Sequence, residues 1–303
     1  MTVDQHFETF FGKPVHDYNH GERISRQDVV WRLCQEYEAD ETQVQLLDGF
    51  LEQVTPATLQ ALVVGPWSEA YDTSPQKLLD RLVERHEELP ELKALFVGDM
   101  TSEQCEISWI HQGDYEDLLQ KFRTLEVLRL RGSEGLELPA FEHHGLRELA
   151  IECGGLPTAL VRNLQRSILP ALRHLELWLG DDNYGFDGKL EDYAQLLEKI
   201  RPERLRYLGL RNAQISDELA VHIARQPWLS SLHTLDLSMG TIGDKGALAL
   251  IDSPYIEGLK VLDLQHHYIS DKLVAALRKL PLQLRIDEAQ DEDDGERYVE
   301  VAE

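Results

Sequence analysis

The chain has 303 residues and a net charge of −25, from 30 basic and 55 acidic side chains. So acidic a balance excludes nucleic acid and anionic membrane surfaces as natural partners, because both are bound by neutralisation with Lys and Arg. Hydrophobic residues make up 42%, ordinary for a water-soluble chain, and no apolar run reaches the length of a membrane span.

The first residues carry acids and lack the basic-then-apolar order of a secretory leader. Cys34, Cys105 and Cys153 are odd in number and spaced unlike metal ligands. The expected setting is therefore the reduced cytoplasm. Residues 1–57 show no repeat. Within them VVWRL (29–33) reads as a strand. Residues 41–54 read as an amphipathic helix, with Val44, Leu47, Leu51 and Val54 on one face. Such a segment is expected to cap the apolar end of a repeat array.

From residue 58 the pattern Leu-x-x-Leu-x-Leu takes over. It begins at Leu59, Leu92, Leu125, Leu146, Leu172, Leu205, Leu232 and Leu259, at intervals of 33, 33, 21, 26, 33, 27 and 27. Alternate side chains of a strand point to opposite faces, so the fourth and sixth positions point inward and stack on those of the next repeat. The expected fold class is α/β: a leucine-rich-repeat solenoid (horseshoe), with a parallel concave sheet and a mostly helical convex side, in about eight repeats over residues 58–286. Ile215-Ser-Asp217, Ile242-Gly-Asp244 and Ile269-Ser-Asp271 mark helix starts, with Ser216 as an expected N-cap. The 21-residue unit has no room for a helix. Its residues 133–145 are expected to cross in extended or short 3₁₀ form, with His143 and His144 on the solvated surface.

The 27-residue period and the Ile-Ser-Asp helix starts resemble the ribonuclease-inhibitor-like class of leucine-rich repeats. The position that such repeats give to a buried Asn or Cys is here Trp67, Met100, Ser133, Gly154, Gly180, Ala213, Gly240 and His267. The turns after the strands must therefore satisfy their backbone by other means, and the three glycines imply close-packed backbone. The blocks GPWSEAYDTS (65–74), CEISWIHQ (105–112), GGLP (154–157), LWLG (177–180) and LSMG (237–240), with RYV (297–299) after an acidic run, are similar to those of a bacterial leucine-rich-repeat family. That resemblance implies a bacterial setting and a scaffold role, and carries no activity with it.

Three repeats are longer, and in each the extra length follows the strand, at residues 67–74, 100–113 and 180–189. Insertions gathered on one rim point to a binding face. They carry Trp67, Tyr71, Trp109, Tyr184 and Phe186, and aromatics beside polar surface are typical interface anchors. The outward strand positions run Val63, Phe96, Arg129, Ala150, Glu176, Gly209, Asp236 and Asp263, followed by Gly65, Gly98, Arg131, Glu152, Trp178, Arg211, Ser238 and Gln265. The surface thus begins apolar, gains arginines and ends acidic. Trp178, Tyr207 and Arg211 form a central candidate cluster. Arg129 and Arg131 either grip a carboxylate ligand or pair with Glu152 and Glu176.

Asp236, Asp263 and His266, with His267, are the one convergent set suited to a metal or catalytic site. Nucleophile and phosphate-loop signatures are absent. Residues 287–303 hold nine acids and one arginine and are expected to be a flexible acidic tail. Its end, 297–301, alternates like a strand that adds to a sheet edge in this molecule or a partner. The sequence thus points to a non-catalytic interaction or scaffold module, without cofactor or bound metal. It would bind a protein or peptide, of basic character, through the concave face and aromatic rim. The alternative is an enzymatic or metal-dependent site at the acidic end of that face.

Overall fold

A computed structural model describes residues 4–19, 21–24, 26, 28–36 and 39–302. They fall into two compact units. The first holds the residues up to 152 together with 167–171; the second holds 153–166 and 172–302.

In the first unit a short antiparallel pair, β1 (Thr9–Phe10) and β2 (Lys13–Tyr18), opens the chain. Then β2, β3 (Val30–Leu33), β4 (Ala61–Val64), β5 (Ala94–Val97), β6 (Val127–Arg131) and β7 (Glu148–Glu152) pair in parallel, each with the next. Strands β2 and β3 thus place part of the 1–57 segment within the sheet. Helices α1 (Gln43–Leu51), α2 (Gln76–Glu84) and α3 (Glu116–Lys121) return the chain behind the strands. Thr42 starts α1 with a capping box: its side chain accepts from the Gln45 N–H, and the Gln45 side chain accepts from the Thr42 N–H.

The second unit alternates α4 (Thr158–Arg166), β8 (His174–Gly180), α5 (Leu190–Ile200), β9 (Tyr207–Ala213), α6 (Ser216–Ile223), β10 (Thr234–Asp236), α7 (Asp244–Ile251), β11 (Val261–Asp263), α8 (Asp271–Leu277) and β12 (Gln283–Arg285). Its strands β8 to β12 are parallel neighbours in order. The repeat alignment is the strand register. Leu62, Leu95, Leu128 and Leu149 stand opposite one another in the first unit. Leu175, Leu208, Leu235 and Leu262 do so in the second. All eight are 0–1% exposed, and burying each contributes about 1.5–3 kcal/mol. Strand β12 extends the row with Leu284; it lies beyond the last Leu-x-x-Leu-x-Leu hexamer.

The turns solve the missing-asparagine problem through the residue one place earlier. Gly132, Asn212, Met239 and His266 all take positive φ. The N–H of each then reaches a carbonyl of the following strand segment, those of Glu152, Ser238, Gln265 and Asp287. Gly180 needs its lack of a side chain as well as its φ of 76°: a Cβ there would fall 1.6 Å from the Gly154 carbonyl oxygen.

Helix starts are capped by the preceding repeat. The Asp217 carboxylate accepts from the N–H groups of Gly243 and Gly246, and the Asp244 carboxylate from that of Ser270. Ser216 does not cap α6 as its sequence suggests. It is buried and donates its hydroxyl proton to the Ala213 carbonyl at 2.7 Å.

Two further expectations are corrected. His143 is buried, not solvated. Its Nε2 donates to the Phe122 carbonyl and its Nδ1 accepts from the Leu146 N–H, while burial holds the ring below its ordinary pKa and neutral. His144 alone of the pair is exposed. The acidic C-terminal run is not loose chain through residue 302. Asp294 and Gly295 both take positive φ, and Asp293 and Glu296 exchange both backbone hydrogen bonds, a two-residue reversal of type I′. The chain then turns back, and Val299 and Val301 are buried. No helix among the described residues is long and apolar enough to cross a membrane.

Candidate interaction surface

The face of the first unit's sheet turned away from the helices is not open. The outward residues Val30, Ala61, Val63, Ala94 and Phe96 form an apolar bed, and Phe10 closes onto it with Phe7, Phe11, Val15 and Val127 at its edge. Phe7 meets Phe96 edge-on at 5.1 Å, and the guanidinium groups of Arg129 and Arg131 lie 5.0 and 5.7 Å from its ring centre.

Beneath Phe7 runs a buried ion network. Asp99, fully buried, takes Arg32 at 2.6 Å and Arg131 at 3.6 Å, and accepts from the Phe7 N–H. Burial works against the Asp99 carboxylate, but His6, Arg131 and Arg32 outweigh it and hold the group below its ordinary pKa. Glu152, 1% exposed, holds Arg131 at 2.7 Å and Arg129 with its other oxygen. Arg129, Arg131 and Glu152 are thus partners of one another beneath the N-terminal segment. Surface alternation alone places them in the open; the ring that covers the two arginines, Phe7, comes from the far N-terminal end of the sequence.

The rim aromatics divide. Trp67 is buried, against its expected role as an anchor, and donates its indole N–H to the Thr73 carbonyl at 2.9 Å. It holds its own loop closed, with the Thr73 hydroxyl on the Ser68 carbonyl. The Ser74 hydroxyl donates to the Gln112 carbonyl, and the His111 N–H to the Ala70 carbonyl, so the first two rim loops are tied together. Ile107 and Ile110 are fully buried, yet Trp109 between them is 56% exposed and Tyr71 is 45% exposed. In the third loop Phe186 is buried against Tyr193, while Tyr184 is half-buried.

The second unit carries a polar cluster on its strand face. The Tyr207 ring stacks on His174 at 4.0 Å, and its hydroxyl donates to Asp236 at 2.7 Å. Gly209 makes room for that ring: a Cβ there would lie 2.9 Å from it. Arg211 reaches the Glu176 carboxylate at 3.0 Å, the Ser238 hydroxyl at 3.0 Å and Asp236 at 3.5 Å. Burial opposes its charge, but Asp236 and Glu176 outweigh burial and hold it protonated. Trp178 is 2% exposed, beneath the Arg211 guanidinium at 5.0 Å and donating to Glu176 at 2.8 Å. It supports Arg211 rather than offering a free aromatic face, contrary to the sequence expectation.

The acidic end does not assemble a metal site. Asp236 accepts from Tyr207 and from the Ser238 N–H and hydroxyl. Asp263, opposite it on β11, accepts from the Gln265 N–H and pairs with Arg285 at 3.2 Å. Burial and the facing Asp236 raise the Asp263 pKa. The ring nitrogen Nδ1 of His266 lies at the Gly240 carbonyl, and that of His267 accepts from the Ile269 N–H. No group of three His, Cys, Asp or Glu side chains among the described residues is arranged to hold a metal ion.

Sequence reasoning passed over Asn212 and Tyr268. Asn212 is fully buried, and its amide takes both backbone groups of Val301. Tyr268 exchanges hydrogen bonds with the backbone of Tyr298. The signal was present: an Asn in the turn position that Met239 and His266 occupy in the next repeats, followed downstream by Asp294-Gly295, a hairpin turn.

A family model described as leucine-rich repeat matches residues 229–250. Among solved structures, the chain resembles a protein from Bacteroides fragilis, with 30% sequence identity over 89% of this chain and 76% of that one, and a TM-score of 0.81. An internalin from Listeria monocytogenes aligns over 84% of this chain and 91% of that one at 14% identity, but its TM-score of 0.22 carries no argument. No curated protein matches the chain. The repeats, their register and the Bacteroides likeness define the class: an α/β leucine-rich-repeat solenoid. The chain belongs to the leucine-rich-repeat family and is a bacterial member of it.

Proposed function

We propose that this protein is a non-catalytic protein–protein interaction module acting in the bacterial cytoplasm. The observation that carries the reading is the pair of exposed aromatics, Tyr71 and Trp109, on rim loops whose own backbones are tied down. A large aromatic on a rigid mount loses little entropy on binding, which is the usual economy of an interface anchor. In the second unit the half-buried Tyr207 and Arg211 meet solvent, while Asp236, Asp263, Glu176 and His266 lie buried around them. In the first unit, Arg129, Arg131 and Glu152 support the fold of the face rather than touch a partner.

The net charge of −25 favours a protein or peptide partner of basic character. The three cysteines are buried and not joined in disulfides. Burial pushes Cys34 up to about 12 and Cys105 up to about 11, so neither is a ready nucleophile. That fits a reduced setting and argues against thiol chemistry. The test is co-purification from the native host with full-length wild type and with Tyr71→Ala/Trp109→Ala. A partner recovered with wild type should be lost with the double variant; equal recovery rejects the rim as the binding surface.

A further inference from the structure

The chain's C-terminal residues lie in a groove of the second unit whose contacts are those of a peptide-recognition site. Asn212 donates from Nδ2 to the Val301 carbonyl and accepts the Val301 N–H at 3.0 Å. It thus reads backbone as a neighbouring strand would. One repeat on, the Met239 carbonyl accepts the Glu300 N–H at 2.8 Å. In the repeat after that, the Tyr268 hydroxyl accepts the Tyr298 N–H at 2.9 Å and donates to its carbonyl at 3.0 Å. Three successive repeats therefore each hold one residue of the segment, which bends at Glu300. Side chains alternate: Val299 and Val301 are buried, while Tyr298 is 50% exposed.

The arginine of the segment has its own slot. Arg297 pairs with Glu292 of its own hairpin at 2.8 Å and, within the groove, meets the Asp217 carboxylate at 3.2 Å and the Thr241 carbonyl at 3.3 Å, 5.6 Å from the centre of the Tyr268 ring. The floor of that slot is Gly243, where a Cβ would stand 2.1 Å from the Arg297 guanidinium. Gly243 has φ −127°, which any residue adopts. The equivalent positions of the neighbouring repeats hold Ser216 and Ser270. The backbone does not ask for glycine at 243; a side chain there would displace the Arg297 guanidinium. A cleft of about 340 Å³ lined by Gln214, Asp217 and Glu218 opens beside it.

We propose that this groove recognises a peptide segment of a partner protein with the order Arg–aromatic–Val–any residue–Val, and that residues 297–301 are its resident competitor. The proposal rests on the reading of the chain as an interaction module and names the ligand class. Three observations favour a displaceable occupant over a permanent cap. The contacts are directed at backbone, as in strand-addition recognition. The Arg slot is acidic, matching the charge of the protein. The segment follows an exposed two-residue reversal, residues 293–296, so it competes through its local concentration.

The test uses full-length protein and a fluorescent peptide of residues 296–302. In Val299→Asp/Val301→Asp the chain's own segment is unseated while its tether stays. This variant should bind the peptide at least tenfold more tightly than wild type does. Adding Asn212→Gly, which keeps the left-handed backbone and removes the amide, should lower that binding at least tenfold with an unchanged thermal midpoint. A peptide with Glu in place of the arginine should bind at least tenfold more weakly. Failure of the folded, unseated variant to bind the peptide overturns the proposal and leaves the segment a structural cap. Wild-type dimerisation that the peptide reverses overturns the assignment to a foreign partner in favour of a second copy. Neither outcome touches the rim co-purification, which stands or falls separately.

Discussion

The two units use one repeat to opposite ends on their strand faces. In the first, apolar outward residues are covered by the chain's own Phe7 and Phe10, and the charges beneath are 0–7% exposed. In the second, the outward residues form a polar network around Arg211, whose side chain keeps 15% of its surface, and a short C-terminal segment sits on the turns. The lesson is that outward strand positions in a repeat protein are not automatically binding surface. The first face has become core by gaining a cover; on the second, Glu176, Asp236 and Asp263 are themselves 3–6% exposed, and it is Arg211 and Arg285, with 15% and 53% of their side chains exposed, that still meet solvent.

The largest expected effect separates these states. Glu152→Ala leaves Arg129 and Arg131 buried without their shared carboxylate, which should cost about 3–5 kcal/mol. Asp236→Ala, in the network that still reaches solvent, should cost about 1–3 kcal/mol. Urea unfolding of both variants checks the contrast, and equal losses would erase the distinction drawn between the faces. Phe7→Ala comes next: removing a covering ring should cost about 1.5–3 kcal/mol. It should also open the N-terminal segment to limited proteolysis, leaving the second unit's cleavage pattern as in wild type.

Most of the repeat framework was legible because its information is local. Leu208, Leu235 and Leu262 each announce themselves within six residues, and their spacing in sequence is their register in the sheet. The cover over the first face was not legible. Phe7 meets Asp99, 92 residues away, and no pattern along the chain links the two. Strand β12 escaped because it keeps only part of the hexamer. The C-terminal reversal is a different case. Asp294-Gly295 is a strong hairpin signal, but it sits in a run of acids whose charge density by itself reads as loose chain. Trp67 and Trp178 were misplaced for one reason: each has a polar N–H partner nearby, Thr73 and Glu176, that lets an aromatic lie buried.

A smaller effect tests how wet the second face is. Burial and Asp236 raise the Asp263 pKa above its unfolded value. The ionised form is then the costly one in the folded chain. Stability from this site is greatest in acid and falls as pH rises from the unfolded carboxylate range, about 3.9, through the folded value. Asp263→Asn removes that fall. The variant should gain a fraction of a kcal/mol at neutral pH, limited by screening of the half-exposed Arg285 partner, and match wild type in acid. Thermal midpoints from pH 3 to 7 measure it; a loss at neutral pH would mean that the Arg285 pair outweighs burial.

The smallest stability effect belongs to the residue with the largest proposed functional one. Trp109 is 56% exposed, and Ile107 and Ile110 anchor its loop without it. Trp109→Ala should therefore shift stability by no more than about 0.5 kcal/mol. Ile107→Ala, fully buried in the same loop, should cost about 2–5 kcal/mol. If Trp109→Ala is as damaging as Ile107→Ala, the indole packs the loop and the rim loses its anchor. If it is thermally silent, loss of a partner on the same substitution is a loss of contact rather than of fold, and the comparison between a covered face and an available rim holds at a single side chain.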